Sequence, residues 1–344
     1  ALTTLPILML AIGAMPGSLA ISRIGPRNTL ALAMVIMVIG SAGRGLVPDT
    51  FTLMIASAVM GLGVAMMQPA LPALLPRWLE PHHIALGSAI YMNGMLMGEF
   101  IGAGITLPVL MPLLDNSWRA TVLAWSLPAL LVVAALFLPK RDLARPARKA
   151  AWLPDWKNPL TLRLGLLLGL SGSMFFGLNA YMGNLLEQQG RIGLLSEALF
   201  WYNIAQVFAS LVMLKMARAW VGRRTFIVVM AVLSIAGTAG TLVLEGWWFI
   251  ASATLMSFVA GILLILLVAL PPLLVNSAET GRLSAGTFLV GYTMAFSVPM
   301  LGGLLADWTG DTRHAVMAMV AYSLLVLPLA FTLDLKRKKD QPAS

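Results

Sequence analysis

One acidic residue, Glu99, lies deep inside a long apolar run, in a chain with only 14 Asp and Glu among 344 residues. An Asp, Lys or Arg at the centre of a bilayer-spanning helix costs roughly 2.5–3.5 kcal/mol to insert, and a glutamate is comparable. Such a group needs a partner, water or a proton. It can carry a coupled proton or touch a substrate; the alternative is a carboxyl held protonated between helices. On a helical wheel Ser88, Met92, Met95, Glu99, Ala103 and Thr106 share one stripe, and Gly87, Gly94, Gly98 and Gly102 share another. The glycine stripe suits close helix packing, which leaves the glutamate stripe to face a cavity. Arg44, between Gly43 and Gly45 at an outer helix end, can steer an anion into a path or snorkel to headgroups. Gln68 sits in a Pro-flanked, Gly-rich stretch (Gly61, Gly63, Pro69, Pro72). A helix broken there would free backbone groups to line a site. Asn179 and Tyr181, beside Gly177, Gly183 and Asn184, and then Tyr202, Asn203 and Gln206 interrupt two further apolar runs. They suit a partly apolar pocket with a few placed polar groups, or helix-to-helix hydrogen bonds. Tyr91, Asn93 and Tyr292 are weaker candidates of the same kind.

Other chemistries are poorly served. There is no cysteine, so no disulfide, thiolate metal site or cysteine nucleophile exists. The three histidines, His82, His83 and His314, lie at span ends without a neighbouring acidic cluster. The 22 methionines suit adaptable packing better than metal ligation. No nucleotide-binding loop is present, so no cofactor and no metal is expected.

The elements that position these residues are membrane helices. Hydrophobic residues make up 59% of the chain and charged residues 11%, against roughly 25% charged for a soluble domain; the mean hydropathy is +0.87. About 20 apolar residues cross a bilayer as a helix. Eleven such runs fall at about 1–21, 29–47, 51–75, 84–113, 119–138, 162–186, 196–217, 225–243, 247–275, 284–306 and 314–333. Of the 23 Lys and Arg, 19 follow odd-numbered runs; the other side holds Arg44, Arg119, Arg191 and Arg313. The positive-inside rule makes the basic side cytoplasmic. The +9 charge therefore reads as topology and not as a nucleic-acid footprint. Trp247 and Trp248 mark a membrane interface.

A shift of 197 residues superimposes Gly25-Pro26-Arg27 on Gly222-Arg223-Arg224, and Gly94 on Gly291. Both copies have the same orientation, so the repeat is parallel. It predicts an N-terminal bundle over 1–138 with five of six spans, a basic cytoplasmic linker over 139–161, a six-helix bundle over 162–334 and a cytoplasmic tail over 335–344. The counterpart of Thr161 falls about 36 residues ahead of Ala1. A first helix is thus expected before this chain, with a cytoplasmic N-terminus.

Two parallel six-helix halves joined by a basic loop resemble the major facilitator superfamily. Ser18 to Arg27 echo its loop motif Gly-x-Leu-x-Asp-Arg-x-Gly-Arg-Arg, matching at Arg23, Gly25 and Arg27 with Ser22 at the acid; Gly222, Arg223 and Arg224 form the second echo, with Ala219 at the acid. The resemblance makes these a conformational-switch loop that lacks its acidic relay. Gly94, Gly98, Gly102 and Gly104, and Pro299-Met300-Leu301-Gly302-Gly303, loosely echo the antiporter-type glycine motif. In Leu2-Thr3-Thr4-Leu5-Pro6, Arg44, Gln68-Pro69-Ala70-Leu71-Pro72 with Arg77, Met216-Ala217-Arg218 and Gly281 to Gly286, the chain is similar to the cyanate permease and 2-nitroimidazole transporter family. The resemblance implies an all-α secondary transporter moving a small organic solute or anion by alternating access across the bacterial inner membrane. Protons are a candidate coupling partner, a monomer is expected, and no nucleic acid is bound. The alternatives are an exporter of small drug-like compounds and, in another class, a lipid-linked transferase; the latter needs clustered catalytic acids or histidines that are lacking.

Overall fold

The computed structural model describes residues 5–136 and 153–335. The linker residues 137–152 and the tail from 336 on, with their basic side chains, lie outside the described residues.

Among the described residues all regular structure is helical. The order is α1 (Leu5–Leu46), α2 (Thr50–Trp78), a 3-10 turn (Pro81–His83), α3 (Ile84–Ile105), a π-turn (Thr106–Leu110), α4 (Met111–Leu113), α5 (Trp118–Leu136) and α6 (Pro159–Gln188). After a second 3-10 turn (Ile192–Leu194) come α7 (Leu195–Trp220), α8 (Arg224–Val243), α9 (Gly246–Val268), α10 (Pro271–Leu274), α11 (Ser277–Thr309) and α12 (Arg313–Phe331). Ten helices are long and apolar enough to cross a membrane, and α1 supplies two crossings. Gly25 breaks it at φ 80°, ψ 161°, a conformation that favours glycine. Gly13 and Gly17 on the first arm lie against Leu62, Ala65, Met66 and Pro69 of α2. Gly40 on the second arm lies against Ala56 and Met60, and Gly63 of α2 against Ala33 and Met37. Both arms therefore pack on one stretch of α2 but run in opposite directions. The eleven crossings expected from the apolar runs are thus recovered.

The repeat is visible in the backbone and in its hydrogen bonds. Gly25 and Gly222 both hold positive φ, 80° and 81°. Arg27 Nε donates to Leu136 O at 2.9 Å, and Arg224 donates to Leu333 O at 2.7 Å; donors and acceptors are each offset by 197 residues. These arginines cap the ends of α5 and α12, each inside its own half. A cation at the C-terminus of a helix satisfies carbonyls the helix cannot. Arg23 and Arg223 point outward and are exposed.

One expectation fails. α2 continues unbroken through Pro69, Pro72 and Pro76, because membrane helices absorb proline locally; no gap opens at Gln68. On the glycine stripe of α3, Gly87 meets Leu75 and Leu79, while Cβ atoms at Gly94, Gly98 or Gly102 would meet no described residue within 4 Å. The repeat partner Gly291 instead meets Leu168 of α6. Within the described residues α3 leans on α7 of the other half and touches α2 only lightly.

Most of the core lies in the second half, around α6, α9 and α11; a smaller cluster joins Leu30, Met34, Ala70 and Leu74 in the first. The halves meet where Gly281 of α11 faces Ile21 and Ala73. That is the end carrying Gly25, Gly222 and Arg282, here the basic end. Apolar side chains such as Leu131 and Leu325 point outward, as lipid requires.

Candidate functional site

Two adjoining pockets lie between α3 of the first half and α6, α7, α9 and α11 of the second. The larger, about 280 Å³, is lined by Leu96, Glu99, Phe100, Phe175, Asn179, Leu199, Asn203, Gln206 and Val207. The smaller, about 70 Å³, adds Ser171, Phe176 and Tyr292. Leu96, Glu99, Phe175 and Gln206 belong to both, so the carboxyl stands at their junction. It makes no hydrogen bond or ion pair with any described residue. No cationic side chain and no histidine lines either pocket.

Helical spacing explains which candidates meet. Asn203 and Gln206 are three apart and share a face of α7. Asn179 Nδ2 donates to Asn203 Oδ1 at 3.3 Å, and Asn203 Nδ2 to Leu199 O at 2.7 Å. Gln206 Nε2 donates to Ser257 O at 2.8 Å, tying α7 to α9. Behind the aromatic wall the Tyr202 hydroxyl donates to Phe175 O at 2.8 Å while the two rings stack at 5.3 Å. These bonds hold the pocket amides and rings in fixed directions, as a preformed site requires.

Other sequence candidates lie elsewhere. Tyr181, two residues from Asn179, faces away from it and donates to Pro299 O at 2.9 Å, occupying a carbonyl of α11. Asn93 donates to Ser210 at 2.7 Å and bridges α3 to α7. The Tyr91 hydroxyl is buried without a hydrogen-bond partner, outside both pocket linings. Gln68 is half-buried on α2 and lines neither pocket. Arg44 is half-buried, its Nη1 is 3.5 Å from Met60 Sδ, and its Nε is buried with no partner. Among the described residues it pairs with no carboxylate, and it lies apart from the pockets. Phe175, Phe176 and Leu96 were missed from the sequence, since inside a span an apolar residue gives no signal of what it faces; Ser171, also missed, donates to Ala260 O at 2.9 Å.

Residues 1–191 match the family model of the Major Facilitator Superfamily, more than half of the chain. The chain belongs to the Major Facilitator Superfamily. Over nearly its full length it is similar to other carriers. It is 26% identical to the cyanate transport protein CynX of Escherichia coli (strain K12), over 96% of this chain and 86% of that protein. It is 25% identical to the 2-nitroimidazole transporter of the same organism, over 94% and 83%. Among solved structures the Escherichia coli fucose:proton symporter FucP superposes with a TM-score of 0.77 at 11% identity, covering 96% of this chain and 89% of that one. The human organic anion transporter MFSD10 superposes at 0.76 and 15% identity, covering 95% and 82%. At such identities the superpositions show the fold alone. The relatives and the fold are those of multi-pass membrane transporters of small solutes, not of enzymes.

Proposed function

We propose that this superfamily member is a secondary active transporter of a small organic solute or anion. Its two halves rock about the paired pockets, and Glu99 carries a coupled proton. The observation that carries this reading is the Glu99 carboxyl at the junction of the pockets, unpaired among the described residues and carried on α3, which leans on α7. A carboxyl with no cation beside it is stable in an apolar setting while it holds a proton, and can release it when water or substrate arrives. The amides of Asn179, Asn203 and Gln206 supply donors and acceptors to a small polar solute, and Phe175 and Phe176 an apolar wall. A pocket of about 280 Å³ suits molecules of the size named for the bacterial relatives, cyanate and 2-nitroimidazole. The basic end is read as cytoplasmic and the membrane as the bacterial inner membrane, with the carrier working as a monomer. Gly281 of α11 meets Ile21 and Ala73 at that end, a contact between the halves that alternating access would make and break. The test is a panel of small anionic and neutral solutes in proteoliposomes, with and without a pH gradient. Gradient-dependent flux of at least one small solute is expected. Flux that ignores the gradient for every transported solute would overturn proton coupling.

A further inference from the structure

The turn between α2 and α3 gathers groups that transport chemistry leaves unused. Glu80, His82 and His83 present one ligand atom each, and these atoms all lie within 4.8 Å of one another. Glu80 Oε2 is 3.5 Å from His82 Nδ1. Two ligands each about 2.0–2.1 Å from a tetrahedral Zn2+ stand about 3.4 Å apart, so this pair already has the required spacing. The imidazole rings of His82 and His83 have centroids 3.9 Å apart and are tilted by 42°; they are not stacked flat, and their nitrogens can converge on one ion. The backbone holds the group together. Pro81 opens a 3-10 turn, its ring fixing φ, and His83 N donates to Glu80 O at 2.9 Å.

We propose that Glu80, His82 and His83 form a binding site for a transition-metal dication of the Zn2+ class. Two imidazoles and a carboxylate suit Zn2+, Co2+, Ni2+ or Cu2+, while Mg2+ and Ca2+ prefer all-oxygen shells. The side chains of Glu80 and His82 are 65% and 63% exposed, so an ion can reach them and water can complete its shell. The site joins the end of α2, which packs on α11, to the start of α3, which packs on α7. An ion there would tie together two helices that contact the other half. The rest of the chain offers little competition. It has no cysteine and three histidines. The third, His314, lies beyond the far end of α11 and hydrogen-bonds Thr309 at 2.9 Å.

The site is tested on the purified full chain, with any affinity tag removed, by titrating Co2+ and following its visible ligand-field absorption, then displacing it with Zn2+. One saturable equivalent is expected. It should be lost in the His82→Ala/His83→Ala double variant, weakened in Glu80→Gln and kept in His314→Ala; Mg2+ should not displace it. Glu80→Gln changes a single exposed side chain, so the test stands even if the double variant folds poorly. Absence of saturable binding, binding unchanged in the histidine double variant, or binding lost with His314 would overturn the site. The titration reads no flux, so its outcome is independent of the transport reading.

Discussion

Removing Arg27 tests whether the basic loop acts as a clamp within one half or as a switch between halves. Arg27 gives both Nε, at 2.9 Å, and a terminal nitrogen to Leu136 O, in a half-buried place. A hydrogen bond from a charged donor contributes about 1.5–3 kcal/mol, and a cation at a helix C-terminus about 0.3–1 kcal/mol more. Arg224 gives one terminal nitrogen to Leu333 O at 2.7 Å and is exposed, so solvent reduces its contribution to about 0.5–1.5 kcal/mol. Arg27→Ala is therefore expected to lower the melting temperature more than Arg224→Ala. At about 2–4 °C per kcal/mol for chains of 150–250 residues, the first loss amounts to several degrees and the second to a few at most. The acceptors lie in different halves, so the double variant should be additive within about 0.5 kcal/mol. Tryptophan fluorescence melts in detergent read the stability, and proteoliposome flux per folded molecule should be unchanged. Flux lost with an unchanged melt in either single variant would refute the clamp and restore the switch.

Three further outcomes follow from particular contacts. A Cβ on Gly63 would come within 2.5 Å of Met37 N, whereas one on Gly43 would rest 3.5 Å from Ala56 Cβ. Gly63→Ala should thus cost about 1–3 kcal/mol or more by overpacking and Gly43→Ala little, as detergent melts would show. Asp49 caps α2, accepting from Thr52 N at 3.0 Å, and these Thr52 hydrogen bonds hold its carboxyl below the usual value of 3.8. Its folded-state value is depressed, so its contribution to stability is present above the unfolded value and is lost as pH falls through the folded one. Melts from pH 5 down to pH 2 should show an acid-sensitive component that disappears in Asp49→Asn. Arg44→Ala should slow uptake of an anionic solute more than of a neutral one; equal effects would remove anion steering.

The sequence carries much of this architecture because lipid leaves the backbone few options. Run length marked each crossing, and Gly25 and Gly222 marked the two corresponding basic turns, where the backbone takes positive φ. The repeat could be read from the same two glycines and their arginines. Convergence at the site was legible only where spacing was decisive: Asn203 with Gln206 on one face, and Glu99 on a stripe of its own. Asn179 and Tyr181 read as a pair, yet two residues of a helix point to different sides, and Tyr181 went to α11. The break expected at Gln68 rested on its Pro- and Gly-rich flanks, as in discontinuous transporter helices, but α2 runs through them because a membrane helix absorbs proline locally.

The most direct test of coupling is Glu99→Gln in proteoliposomes, measured as gradient-driven accumulation beside solute exchange at equal pH on both sides. If Glu99 carries the proton, accumulation is lost while exchange continues, because the neutral amide leaves the pocket but cannot titrate. Accumulation that persists in Glu99→Gln with its dependence on the pH gradient intact would contradict the assignment.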